Sequence, residues 1–119
     1  MRIGINSAVV ALTLAGAAPA FAHSVLLKSS PSDKAVLAQA PSEIRLTFNE
    51  RIEPRFSTIE LSIAGSRIEA ERAAVEKDNP NDLVLRPPPL KPGRYLVKWR
   101  AISTDSHKIE GTFGFQIGP

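Results

Sequence analysis

Two residues of chemical interest stand close together late in the chain. Asp105 and His107 put a carboxylate and an imidazole two positions apart in the stretch Trp99-Arg-Ala-Ile-Ser-Thr-Asp-Ser-His-Lys-Ile-Glu-Gly-Thr-Phe-Gly-Phe115. Both groups ligate divalent metals. The chain has 2 histidines, and the other is His23. Its setting is unusual, because Ala20-Phe21-Ala22 is the small-x-small triplet at which a signal peptidase cuts. Cleavage there would make His23 a terminal residue with a free amine beside its own ring Nδ1. That pair closes a six-membered chelate on one ion, which an internal histidine cannot do. With Asp105 and His107 the donor set becomes three nitrogens and one oxygen. Such a set suits tetragonal Cu(II), the head of the affinity series for divalent first-row metals. Zn(II) is the competitor, taking the same donors tetrahedrally.

The oxidation state follows from the missing donors. The chain has 0 cysteines and 1 methionine, Met1, which leaves with the leader, so no soft sulfur ligand for Cu(I) remains. Cu(II) is the expected cofactor. Taken singly, Asp105 also reads as a turn residue capping its own bend, and His107 as an exposed loop histidine.

The elements that must position these residues are short and apolar on alternate positions. Residues 1–22 read as a secretory signal peptide, with Arg2 ahead of the apolar run Ala8 to Ala18 and the cleavage triplet after it. Residues 23–119 form the expected mature domain, and 119 − 22 = 97 residues allow one modest core. An exported, periplasmic protein follows from the leader.

Beyond it, Val25 to Leu27 suggests an edge strand, followed by turn formers at Ser29 to Asp33. Ala35 to Ala40 reads as either a helical turn or a loop. Glu43 to Asn49 alternates, with Ile44, Leu46 and Phe48 inward, and Thr58 to Ala64 repeats the pattern with Ile59, Leu61 and Ile63. Gly65-Ser66 is expected as a tight turn. Glu69 to Glu76 is open between helix and irregular chain. Asp78 to Asp82 reads as a loop and Leu83 to Leu85 as a strand. Arg86 to Gly93, with four prolines, reads as a connection between sheets. Tyr95, Val97, Trp99 and Ala101 then face the same way as Phe113, Phe115 and Ile117 across the polar bend, as an antiparallel pair.

About seven short strands with regular turn signals predict an all-β, immunoglobulin-like antiparallel sandwich with Greek-key connections and no disulfide. A small up-and-down barrel is the alternative. Charge excludes one partner class. Of 15 Lys+Arg, 14 remain without Arg2 against 12 Asp+Glu, a net +2. Acids are interleaved throughout, so no stripe tracks a phosphate backbone, and nucleic acid is not an expected partner.

At this point the sequence resembles the CopC family of periplasmic copper-binding proteins over essentially the whole mature chain. The matching features are Ala22-His23, Ser29-Ser30-Pro31, Leu46-Thr47-Phe48-Asn49-Glu50 and Gly93-Arg94-Tyr95 leading into Trp99-Arg100. Most specific is Ser103-Thr104-Asp105-Ser106-His107 followed by Gly111-Thr112-Phe113. The resemblance implies a Cu(II) site made by the His23 amine and ring, Asp105 and His107. It also implies that Glu50 sits beside the site and orients the terminal amine or a ligand water without binding the metal. Lys34 and Lys108 depart from the family pattern, standing where glycine and proline are usual. The function so implied is copper sequestration, resistance or delivery, with an inner-membrane CopD-like permease as partner, a monomeric state and no catalysis. Two rivals stay open: a copper monooxygenase using the same terminal histidine, and an interaction module that binds no metal.

Overall fold

The computed structural model of the chain describes Gly4 and residues 24–119. Among the described residues nine strands make two sheets. β1 (Leu26–Ser30), β3 (Ile44–Phe48), β7 (Asn79–Leu85) and β6 (Ala74–Glu76) form one, in the order β1-β3-β7-β6. The other runs β2 (Val36–Leu37), β9 (Lys108–Ile117), β8 (Gly93–Ile102), β4 (Thr58–Ile63) and β5 (Ser66–Arg67). Among the described residues neither sheet closes on itself, so the fold is a sandwich and not a closed barrel. The chain changes sheet five times, between β1 and β2, β2 and β3, β3 and β4, β5 and β6, and β7 and β8, the last time through the proline-rich segment. The strand number exceeds the expected seven because two pieces of two residues, β2 and β5, finish the edges of the larger sheet. β2 pairs with β9 in parallel, the one non-antiparallel ladder among the described residues.

Alternation in the sequence becomes alternation in burial. Ile44, Leu46 and Phe48 are almost wholly buried, as are Leu61, Val97 and Ala101 from the opposite sheet. Phe48 meets Trp99 edge-on with ring centroids 5.5 Å apart, and Tyr95 stacks on Phe115 at 5.3 Å. The first contact joins the two sheets, the second links β8 to β9 within one of them, and both add to simple area burial. Gly111 is required by this packing, since a Cβ there would lie 2.8 Å from Trp99 Cζ2. The Tyr95 hydroxyl donates to the Lys91 carbonyl at 2.5 Å, tying the start of β8 to the connection before it. This is the tyrosine corner of immunoglobulin-like domains.

Local differences from expectation have physical causes. The β4–β5 turn is Ala64-Gly65, one residue earlier than expected, with φ of +50° and +79°, the pair a two-residue type I′ hairpin needs. Ser29 and Ser30 belong to β1, and the turn follows them. The segment from Ala35 contributes β2. Glu69 to Ala73 is irregular, with no helix, and leads into β6. Asn79 to Asp82, expected as a loop, belongs to β7, and the turn is Lys77-Asp78. Pro80 fits because the β3 ladder stops at Asp82 and the β6 ladder is irregular beside it, leaving no strand bond for its missing N–H. Lys34 takes a left-handed φ of +65°, a conformation that glycine adopts without strain.

Candidate metal centre

The polar bend is the five-residue loop between β8 and β9, and Ser103 builds it. Ser103 is buried, at 2% exposure. Its N–H donates to the His107 carbonyl at 2.9 Å, its carbonyl accepts from Ser106 N–H at 2.9 Å, and its Oγ accepts from His107 N–H at 3.1 Å. The same hydroxyl donates to Asp105 Oδ1. Ser106 has φ +72° and turns the chain between the two chemical residues. As a result Asp105 and His107 face each other, with Oδ2 and Nδ1 3.2 Å apart. One Asp105 oxygen is therefore occupied by Ser103 and the other is aimed at the imidazole. The Ser103 hydroxyl, and behind it the His107 backbone and ring, hold the Asp105 carboxyl below its usual range against a smaller opposing effect of burial. Asp105 stays an anion, as a ligand must.

The segment Asn49–Glu53 brings the third member. It leaves β3 and crosses to the other sheet, where Ile52 bridges to Ser103, Glu53 N–H donates to the Ile102 carbonyl at 2.8 Å and Thr104 N–H donates to the Arg51 carbonyl at 3.0 Å. Buried Ser57 fastens the same junction, its Oγ donating to the Glu53 carbonyl at 2.7 Å and accepting from Ile102 N–H at 3.0 Å. This crossing sets Glu50 beside the bend, with Oε2 3.9 Å from His107 Nδ1. One ligand atom from each of Glu50, Asp105 and His107 lies within 4.8 Å of the other two.

The start of the domain arrives at the same place. β1 pairs antiparallel with β3 with Leu26 opposite Phe48, so its first residues run beside the end of β3. Val25 N–H donates to Asn49 Oδ1 at 2.7 Å, and Asn49 N–H donates to the Val25 carbonyl at 3.2 Å. Ser24, 5% exposed, donates its hydroxyl to Glu50 Oε2 at 2.5 Å. His23 itself lies outside the described residues, as does residues 1–22 of the expected leader apart from Gly4. Its chain neighbour Ser24 is hydrogen-bonded to a member of the cluster.

Three of the four residues singled out in the sequence are thus brought together. Sequence reasoning quoted Ser103 within a motif but gave it no role, and it passed over Ser24. Ser103 carries a local signal, a serine two before an aspartate in a bend, the pattern of a side chain bonding within its own turn. Ser24 carries none, because its partner is 26 positions away.

Comparison with known proteins agrees with the fold and the motif together. Residues 26–118 match the CopC domain. Copper resistance protein C of Xanthomonas campestris pv. juglandis is 35% identical over 122 residues, covering 97% of this chain and 94% of that protein. The copper transport protein CutJ of Bacillus subtilis (strain 168) is 32% identical over 100 residues, 82% of this chain but 18% of that much longer protein. Among solved structures, CopC from Methylosinus trichosporium OB3b superposes with a TM-score of 0.76 at 37% identity, covering 82% of this chain and 95% of that one. PcoC, a methionine-rich copper resistance protein from Escherichia coli, gives 0.72 at 34% identity, covering 82% of this chain and all of that one. With family match, sequence relatives and solved structures in agreement, this chain belongs to the CopC family.

Proposed function

We propose that this protein is a periplasmic Cu(II) carrier whose metal site is completed by export. Cleavage after Ala22 frees the His23 amine, which with the His23 ring, the Oδ2 of Asp105 and the His107 imidazole makes a three-nitrogen, one-oxygen set. The observation that carries this reading is the meeting of the domain's first residues with the Glu50–Asp105–His107 cluster through the Ser24–Glu50 hydrogen bond. Glu50 has two tasks in it. It fixes the residue next to the terminal histidine, and its charge balances an ion that Asp105 alone leaves with one surplus positive charge.

The donor chemistry supports Cu(II) over Cu(I). PcoC is described as methionine rich, whereas this chain has 1 methionine, in the expected leader. The named relatives are resistance and transport proteins, which supports holding and handing over copper in preference to catalysis. In CutJ a segment like this one occupies a small fraction of a longer transport protein. That arrangement supports a membrane permease, of the CopD kind, as the acceptor for a separate monomeric carrier.

The test is a competitive Cu(II) titration of the chain beginning at His23 and of the same chain with one residue added before it. The proposal expects one tight ion in the first and an affinity loss of at least about 100-fold in the second. Equal affinities would sink the terminal chelate.

A further inference from the structure

Glu50, Asp105 and His107 bring their ligand atoms within 4.8 Å of one another, and none of the three depends on a terminal amine. We propose that Glu50, Asp105 and His107 form a second, cleavage-independent metal site, which holds Zn(II) through two carboxylates and one imidazole while His23 is still preceded by another residue. The inference needs nothing of the terminal amine and stands whether or not the copper reading holds.

The geometry is that of a tetrahedral zinc site. Zinc binds imidazole nitrogen and carboxylate oxygen at about 2.0–2.2 Å, so neighbouring donors on a tetrahedral ion lie about 3.4 Å apart. His107 Nδ1 is 3.2 Å from Asp105 Oδ2 and 3.9 Å from Glu50 Oε2, values on either side of that edge. A square-planar Cu(II) ion wants neighbours about 2.8 Å apart and a nitrogen-rich set, and this cluster supplies one nitrogen. A fourth, open position would be filled by water, the arrangement of zinc sites with three protein ligands.

Charge points the same way. Among the described residues no lysine or arginine pairs with Glu50 or Asp105, whose ion-pair partner is the His107 ring. Two carboxylates and a neutral imidazole carry two negative charges, which a divalent ion cancels. The donors are also held in advance, Asp105 by Ser103 and Glu50 by Ser24, so little ordering remains to oppose binding. Cleavage then changes the donor set: the new amine and the His23 ring displace Glu50 from the ion, and an oxygen-rich tetrahedral set becomes a nitrogen-rich one suited to tetragonal Cu(II).

The test uses the uncut 119-residue chain, purified in detergent without export, and titrates Zn(II) against a chromophoric chelator. One zinc per chain is expected. Glu50→Gln should weaken it at least tenfold, Asp105→Asn likewise, and His23→Ala by less than about threefold. Melting curves in chelator check that each variant folds. Adding a residue before His23 in the cut chain should lower Cu(II) affinity far more than Zn(II) affinity. No zinc bound by the uncut chain would overturn the proposal, as would a Glu50→Gln variant that binds zinc like the parent, or a His23→Ala loss equal to that of Glu50→Gln.

Discussion

Two clusters of carboxylates stand on this sandwich, and they differ in what neutralises them. On the smaller sheet, Glu43, Glu76 and Asp82 surround Arg45, with N–O distances of 3.1, 2.7 and 2.8 Å, and Arg86 adds a second guanidinium 3.0 Å from Glu76. There the chain brings its own cation. Arg45 is raised above its ordinary value, first by its bond to Glu76 and then by Asp82 and Glu43, and Glu76 is lowered to about 2 by Arg45, with Asn79 and Arg86 behind it. At the β8–β9 bend, Glu50 and Asp105 have only the His107 ring among the described residues. The first cluster is closed and structural. The second leaves negative charge and free lone pairs converging on one point, which an incoming cation can satisfy.

The comparison can be broken by exchanging effects between the clusters. The largest expected effect is on metal. His107→Ala should lower Cu(II) affinity beyond the roughly 100-fold ceiling for residues that only orient ligands, while the melting temperature of the metal-free protein stays nearly constant. Arg45→Met should do the reverse. It strands Asp82 and leaves Glu43 and Glu76 to Arg86 alone, and should cost about 2 kcal/mol, less than the 3–5 kcal/mol for a fully buried pair. That is about 10 °C in a domain of this size, with copper affinity unchanged in the same titration. If Arg45→Met loosened copper as much as His107→Ala, the division between the clusters would be wrong.

Smaller effects sharpen the division. Ser103→Ala frees the second oxygen of Asp105 and loosens the His107 backbone, so copper affinity should fall about tenfold. Ser103→Thr, which keeps the hydroxyl, should recover most of it. Acid separates the clusters too. Glu76 is lowered from 4.5 to about 2 on folding, so between those values the unfolded chain binds more protons and stability rises with pH. The contribution is full above about 4.5 and is lost as pH falls through about 2. Glu76→Gln should remove that part of the acid slope in melting experiments. Copper affinity should weaken in a different range, as pH falls through the values of a free α-amine near about 7.7–8.0 and free imidazoles near about 6.5. Copper affinity that held constant down to pH 5 would contradict nitrogen donors.

How much could be read in the sequence depended on whether a residue's partner is near it in the chain. Ile44, Leu46 and Phe48 declare their strand by alternation alone, and Tyr95 to Ala101 with Phe113 to Ile117 declare a hairpin because the bend lies between them. Asp105 and His107 were legible for the same reason. Asn79 to Asp82 misled because asparagine, proline and aspartate form turns when only neighbours count. Here Asp82 bonds Arg45, 37 positions away, Asn81 donates to the Phe48 carbonyl, and the Pro80 carbonyl accepts from Ile52 N–H. Those distant bonds make the segment a strand. The nearness of Glu50 to the bend likewise depends on the crossing of Asn49–Glu53 between sheets, which no local pattern records.

The central claim is that export creates the copper site by freeing the amine of His23. Electron paramagnetic resonance of the one-to-one Cu(II) complex tests it most directly, on the chain beginning at His23 and on the chain with one residue before it. The account predicts a tetragonal signal coupled to three nitrogens in the first, reduced in nitrogen count by the extension. A spectrum that the extension leaves unchanged would contradict it.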